Sequence, residues 1–378
     1  MTNKVIIVGA GPAGLATAAT LRAAGIPSTI LEKSDAVASS WRGHYDRLHL
    51  HTHRNRSGLP GMKMPGDYPK YPTRAQVVDY FDTYAAQNGI SPEFGITVTD
   101  ITHDSGWQIK AADGRAWHAD EVVIATGQVS HPKRADWPGL SGFTGTVLHS
   151  NEYRNPTPFA GQRVLVVGFG NSGGEIAMDL ADAGVTTHMA VRGAVNVVPR
   201  ELFGIPITSM SMVQQLTSPR FADALTAPIL RLVVGDITKL GLRRANKGPS
   251  TQVVEDQKVP LIDIGALDRL RSGKLMARPG VTHIDGSTVA FADGTSDAFD
   301  VILMATGYRP DLRALLPGAA DLLDSGGTPK SSGATSGRDG LYFCSFRVSP
   351  RGQIFEMSQE AEAIATAISA RRAQARAS

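Results

Sequence analysis

A short apolar strand that runs straight into a glycine-rich turn and then a helix leaves a chain few folds to choose from, and this sequence does it twice. Lys4-Val-Ile-Ile-Val8 leads into Gly9-Ala10-Gly11-Pro12-Ala13-Gly14 and the helix-forming run Ala13 to Ala24. Arg163-Val-Leu-Val-Val167 leads into Gly168-Phe169-Gly170-Asn171-Ser172-Gly173-Gly174 and the run Glu175 to Ala183. Each copy continues into alternating polar and apolar residues with Asp-Gly turns, at Asp113-Gly114 in the first and at Asp285-Gly286 and Asp293-Gly294 in the second. Each closes on an apolar strand ending in Ala-Thr-Gly, at Ala125-Thr126-Gly127 and Ala305-Thr306-Gly307. Strand, turn and crossover helix build parallel sheet, whereas alternation punctuated by Asp-Gly builds antiparallel hairpins.

The repeat predicts an α/β protein with two Rossmann-like dinucleotide-binding domains, the two-domain flavoprotein architecture of the glutathione reductase type. Residues 1–155 and 308–378 are assigned to the first domain and 156–307 to the second, with proline-rich joints at Asn155-Pro-Thr-Pro158 and Arg309-Pro310. Gly340-Leu-Tyr-Phe343 and an alanine-rich helix from about Ser358 to Arg376 are too little for a third domain and return to the first. Residues 205–250 fit neither copy and read as a helical insertion in the second domain, with an apolar helix around Phe221 to Leu242. That helix packs inward, walls a substrate pocket or touches a membrane surface through Leu230 to Ile237.

Composition narrows the partners. A formal charge of +3 without long like-charge runs argues against nucleic acid. No apolar run reaches the roughly 20 residues that span a bilayer, and Val5 to Leu21, broken by glycines and Pro12, reads as structure and not as a leader. A single cysteine, Cys344, needs no oxidising compartment, so a cytoplasmic setting is expected; a homodimer stays open.

In a chain with 40 glycines a Gly-x-Gly-x-x-Gly match is weak by itself, and the flanking strand and helix give it weight. Gly9, Gly11, Pro12, Ala13 and Gly14 would let a pyrophosphate approach the backbone at a helix N-terminus. Glu32, followed by Lys33, ends the next strand, Ser28 to Leu31, where a carboxylate accepts ribose hydroxyls. Gly168, Gly170, Asn171, Ser172 and Gly173 repeat the cradle, but the strand from Thr186 ends in Arg192. A carboxylate repels a 2′-phosphate and a guanidinium pairs with it, so the first cradle suits FAD and the second NADPH. The alternative for Arg192 is an ordinary surface arginine. Thr126, Gly127, Thr306 and Gly307 close the two copies and are placed beside the cofactors. Both together imply hydride passing from nicotinamide to flavin. One cysteine cannot reduce a disulfide through a dithiol, no ligand set for a second redox centre is apparent, and oxygen chemistry is left.

Between the copies, Phe143-Thr-Gly145-Thr-Val-Leu-His149-Ser-Asn-Glu-Tyr153 reads Phe-x-Gly-x-x-x-His-x-x-x-Tyr, and Tyr308 follows the second Ala-Thr-Gly. These elements resemble the identifying sequences of the class B flavin-containing monooxygenases. The similarity extends over almost the whole chain and is closest to the YUCCA branch, through Tyr45-Asp-Arg-Leu-His-Leu50, Tyr71-Pro-Thr-Arg74, Val191 to Leu202 and Val259 to Lys274. The resemblance implies FAD and NADPH on one chain, oxygen addition at the flavin C4a, and NADP+ staying bound to protect the hydroperoxide. It implies that His149 and Tyr153 belong to a hinge coupling the cofactor domains, and that Trp41, His49, Tyr308 and Gln353 lie near cofactor. The animal branch carries an asparagine near the flavin where this chain has His51 or Thr52. His49, His51 and His53 alternate as on one face of a strand; metal ligation and plain hydrogen bonding are the other readings, and no metal is expected.

The YUCCA resemblance favours oxidative decarboxylation of an aryl 2-oxo acid such as indole-3-pyruvate, with Arg200 or Arg347 as partner for its carboxylate. N- or S-oxygenation and Baeyer-Villiger insertion use the same adduct, and an NADPH oxidase or redox-sensing flavoprotein is the rival from another class. The expected partners are therefore a small-molecule substrate and molecular oxygen.

Overall fold

In the first of two compact units (Met1–Gly43, Thr52–His131 and Tyr308–Ser378) the strand Val5–Val8 lies between Ser28–Leu31 and Glu121–Ile124, with Leu341–Phe343 beyond, all parallel. The computed structural model describes residues 4–208, 218–334 and 336–377. All four residues of Val5–Val8 are buried, as a strand covered on both faces requires. The helix Pro12–Ala23 and the C-terminal helix Gln353–Ala377 pack on one another, and an antiparallel meander of Val98–His103, Trp107–Ala111 and Ala116–Ala119 completes the unit. Glu121, 1% exposed at the start of its strand, is held by Arg371 at 3.0 Å and Arg372 at 2.8 Å, which pins the last helix to the sheet. A carboxylate that deep is tolerated because both oxygens carry charged partners.

The second unit, His44–His51 and Pro132–Gly307, repeats the plan. Five parallel strands run in the order Leu275–Arg278, Thr186–Ala190, Arg163–Val167, Val301–Met304, Thr146–His149, with a meander of Val281–Asp285, Thr288–Phe291 and Ser296–Ala298. Residues 132–155 fall in this unit because Thr146–His149 pairs with Val301–Met304. The apolar helix of the insertion runs Pro219–Val234, capped by Ser218, whose side chain accepts the Phe221 N–H at 3.3 Å. It is shorter than the expected Phe221 to Leu242. Gly235 takes φ 75° and ends it, and the 3-10 turn Ile237–Leu240 follows. Residues 209–217 of the expected insertion lie outside the described residues. The C-terminal helix starts at Gln353, five residues before the expected Ser358.

His188 is 3% exposed within Thr186–Ala190, and its Nδ1 accepts from Arg278 Nε at 3.4 Å. Burial first, then the Arg278 charge, pushes its pKa down to about 4. The folded imidazole is therefore neutral where the unfolded one, with an ordinary value near 6.5, takes up a proton. Stability is retained above that ordinary value and is lost as pH falls toward 4, at up to about 1.4 kcal/mol per pH unit. Urea denaturation of wild type and His188→Gln at successive pH values between 7 and 4.5 measures this. The variant is expected to lose the His188 share of the slope, and an unchanged slope would rule His188 out as its source.

Candidate cofactor-binding site

Both glycine turns are shaped by what a methyl group would strike. A Cβ on Gly9, whose φ is 108°, would stand 2.6 Å from the Ala125 carbonyl oxygen, and one on Gly14 would stand 1.9 Å from that of Gly9. Their counterparts give the same answer: 2.4 Å from the Ala305 oxygen at Gly168 (φ 118°), and 2.5 Å from the Gly168 oxygen at Gly173. Helix, turn and closing strand therefore touch through backbone alone. Gly11 and Gly170 differ, since a Cβ there would meet nothing within 4 Å. They border open space, as a backbone that a ligand must approach closely would. Neither following helix, Pro12–Ala23 or Asn171–Asp182, has a side-chain N-cap, so its first N–H groups are left to a ligand.

In the first unit Pro12 opens the helix, and Ala13 and Gly14 are buried behind it. Glu32 is 5% exposed; its Oε2 accepts the Ala10 N–H at 2.6 Å and its Oε1 the Ser34 N–H at 2.9 Å. The carboxylate thus braces the turn while keeping acceptor capacity for a ribose. Lys33 beside it is exposed. Thr126 Oγ1 is shut from water and has no hydrogen-bond partner among the described residues, next to Gly127 at φ 78°. An orphaned hydroxyl there fits a bound polar ligand. Trp41 sits in the short helix Ser39–Arg42, partly exposed, its ring edge-on to Phe81 with centroids 6.0 Å apart.

At the end of Leu341–Phe343, Ser345 is 1% exposed and holds φ 75°, a strained value for a residue with a side chain. Three side chains fix it. Gln128 Nε2 donates to its carbonyl at 3.1 Å, Gln353 Nε2 to its Oγ at 3.2 Å, and its own N–H donates to Glu360, which also accepts from Ser332 Oγ at 2.8 Å. Burial pushes the Glu360 carboxyl up. Gln353, expected at a cofactor, spends its amide N–H groups on Ser345 and on the Arg347 carbonyl at 3.0 Å.

The second cradle shows a comparable economy. Asn171 Oδ1 accepts the Ile262 N–H at 2.8 Å and so ties the turn to Leu261–Asp263, while Ser172 follows it partly exposed. Arg192 is exposed just past Thr186–Ala190 and packs on Gly280, and its carbonyl accepts from Arg243. Arg243 also gives its carbonyl to Val195 N–H at 2.7 Å. A second guanidinium therefore stands at the corner where Arg192 was expected alone; the Arg243-Arg244 doublet was the available signal. Thr306 Oγ1 donates to the Lys133 carbonyl, and the Gly307 carbonyl accepts Lys133 N–H at 2.9 Å. These groups serve the protein first. Tyr308 opens the short strand Tyr308–Arg309. Arg200 follows Val197–Pro199 and is half-buried, whereas Arg347 is exposed in the first unit.

The linker motif turns out to brace the second unit. A Cβ on Gly145 would stand 2.1 Å from the Asp300 carbonyl oxygen, so the strand after it can lie flat beside Val301–Met304. His149 is fully buried; its Nε2–H donates to the Gly307 carbonyl at 3.1 Å and its Nδ1 accepts Asn151 N–H at 3.3 Å. Burial above all holds its pKa below the ordinary value, in keeping with a neutral ring. Tyr153 OH donates to Asp179 on the cradle helix at 2.7 Å, and desolvation with that carboxylate pushes the phenol far up.

The three histidines are not on a strand, because residues 51–53 turn. His49 Nδ1 bonds the Arg47 carbonyl at 2.7 Å, His53 Nδ1 accepts Asn55 N–H at 3.0 Å, and His51 Nε2 donates to Glu175 Oε1 at 2.8 Å. Thr52 goes elsewhere: its Oγ1 meets Ser57 Oγ at 2.7 Å, and its Cγ2 would be 2.6 Å from a Cβ on Gly352 beside the C-terminal helix. The boundary between the units falls between His51 and Thr52, so the two expected candidates separate. Glu175 is the residue that sequence alone did not offer.

Residues 6–203 match the family model described as pyridine nucleotide-disulphide oxidoreductase. Its disulfide chemistry has no cysteine pair to use in this chain, whose one cysteine, Cys344, is buried. Indole-3-pyruvate monooxygenase YUCCA1 of Oryza sativa subsp. japonica is 39% identical over 348 residues, covering 90% of this chain and 86% of that protein. A flavin-containing monooxygenase from Stenotrophomonas maltophilia matches with a TM-score of 0.73 at 24% identity and covers 98% of both chains. A cyclohexanone monooxygenase variant from Rhodococcus sp. Phi1, bound to NADP+, gives a TM-score of 0.76 at 18% identity over 98% of this chain and 86% of that one. At such identities the two structures speak for the α/β flavoprotein fold alone. The rice relative carries the family: the chain belongs to the class B flavin-containing monooxygenases, FAD- and NADPH-dependent enzymes, on their YUCCA branch.

Proposed function

We propose that the protein converts an aryl 2-oxo acid of the indole-3-pyruvate type to the acid one carbon shorter, with FAD on the first cradle and NADPH on the second. The observation that carries the substrate class is the 39% identity, over 90% of the chain, to a rice enzyme named for that substrate. The balance is R–CO–COOH + O2 + NADPH + H+ giving R–COOH + CO2 + H2O + NADP+. Glu32 beside the first turn and Arg192 beside the second support the allocation of the cofactors, since only the second corner offers guanidinium to a 2′-phosphate.

FAD, when bound, takes hydride from NADPH and supplies the oxygen-activating chemistry. The chain's own residues bind, orient and keep water out. Glu32, Gly11, Thr126 and the N-terminus of Pro12–Ala23 would hold FAD; Gly170, the N-terminus of Asn171–Asp182, Arg192 and Arg243 would hold NADPH. Ser345, fixed by three side chains, would hold the end of Leu341–Phe343 in place beside the flavin ring, with Trp41 near it. Arg200 and Arg347 are the candidate carboxylate partners. The lone buried cysteine supports a cytoplasmic setting.

The test is product analysis with 18O2 on indole-3-pyruvate, phenylpyruvate, a thioether, a tertiary amine and a cyclic ketone. One labelled oxygen in the shortened acid and one CO2 per NADPH consumed is the expected result. Labelled sulfoxide, N-oxide or lactone as sole product would move the substrate class, and hydrogen peroxide equal to NADPH with every substrate would make the protein an oxidase.

A further inference from the structure

Glu175 lies one turn into the second cradle helix, Asn171–Asp182, and is 2% exposed. Its Oε1 accepts His51 Nε2–H at 2.8 Å. Its Oε2 and the Nδ1 of His51 are both closed off from water, and neither has a hydrogen-bond partner among the described residues. A carboxylate oxygen left in this way is costly unless its charge is cancelled nearby. A carboxylate is also an odd neighbour for this helix end. The N-terminus attracts an anion through its N–H groups and dipole, and a fixed negative charge in a low-dielectric setting opposes that attraction. An imidazolium cancels the charge and retains a donor. His51 is brought there by the segment His44–His51, which packs in the same unit through Tyr45, buried beside Tyr153, and through Arg47, paired with Asp182 at 2.7 Å.

We propose that His51 and Glu175 form an imidazolium–carboxylate pair that positions NADP(H), the imidazolium cancelling the Glu175 charge within the helix whose N-terminus takes the phosphate bridge of the dinucleotide. This rests on the second cradle holding NADP(H). Without the imidazole, Glu175 is an uncompensated buried carboxylate one turn behind the helix end that takes the pyrophosphate. Removing that carboxylate as well therefore restores affinity, which a pair serving only the fold would not do.

NADP+ is titrated calorimetrically into the oxidised, FAD-loaded enzyme and its variants. His51→Ala is expected to weaken binding about tenfold, and adding Glu175→Gln to it to recover at least about threefold. The loss is the same for NAD+ as for NADP+, because the pair acts on the bridge and not on the 2′-phosphate. A double variant that binds as weakly as His51→Ala, or more weakly, overturns the proposal. Should His51→Ala lose its flavin, His51→Gln replaces it in the same cycle and must show the same recovery. Gly173→Ala and Arg192→Ala separate the two levels of inference. If both leave NADP+ binding intact, the allocation of the cradle is wrong; if they weaken it while His51→Ala does not, only the role of the pair is.

Discussion

Gly14→Ala is expected to yield a folded protein that purifies without its flavin. The added methyl would stand 1.9 Å from the Gly9 carbonyl oxygen and 3.1 Å from its carbonyl carbon. Gly9 cannot yield, since it already sits at φ 108° with the Ala125 carbonyl where its own Cβ would be, and its N–H is bonded to the Leu31 carbonyl at 2.9 Å. The helix must therefore lift off the turn, which moves the N–H groups meant for the pyrophosphate. Flavin content, read from the visible-to-280 nm absorbance ratio, should fall at least roughly tenfold, since a displacement on the order of 1 Å removes several charge-assisted bonds together. Loss of a ligand present at about 1,000 times its Kd also removes about 4 kcal/mol of stability, so the thermal midpoint falls toward that of wild-type apoprotein. Gly11→Ala is the control. Its methyl meets no protein atom within 4 Å, so the apoprotein midpoint should hold while FAD affinity drops. A yellow, fully loaded Gly14→Ala protein would mean that this turn does not cradle the flavin nucleotide.

The cradles were legible because each is local: a few consecutive residues carry strand, turn and helix, and the glycines mark backbone contacts that any side chain would break. The linker motif was legible as a pattern, but the bonds of His149 to Gly307 and of Tyr153 to Asp179 appear only once the chain is folded. Contacts across long separations left no trace in one sequence. His51 and Glu175 are 124 residues apart, and Glu121 and Arg372 are 251 apart. Alternation of His49, His51 and His53 has the period of a strand, yet the chain turns there because those residues leave one unit for the other. Gly235 was a readable stop for the insertion helix, and the apolar Ile237, Leu240 and Leu242 beyond it hid the signal. Ser345 gave none, because nothing in a serine announces a positive φ.

Arg192→Ala is expected to remove most of the preference for NADPH over NADH while leaving the NADH reaction almost untouched. A guanidinium bonded to a phosphate dianion contributes about 1.5–3 kcal/mol, so the second-order rate of flavin reduction by NADPH should fall roughly 10- to 150-fold. Arg243 lowers the upper limit. It donates to the Arg192 carbonyl and stands at the same corner, so it can take part of the phosphate when Arg192 is gone. Arg243→Ala alone should cost less than Arg192→Ala, and the double variant more than the two single losses added, as for residues that back each other up on one partner. Salt gives an independent check, since both groups are exposed and long-range attraction to the phosphate is screened with a Debye length of about 8 Å at physiological ionic strength. The wild-type advantage of NADPH over NADH should therefore shrink as salt rises, and that of the double variant should not. Anaerobic stopped-flow reduction by each nucleotide at two salt concentrations measures all four enzymes. If Arg192→Ala retains the wild-type ratio of NADPH to NADH rates, Arg192 is a surface arginine and the 2′-phosphate is read elsewhere.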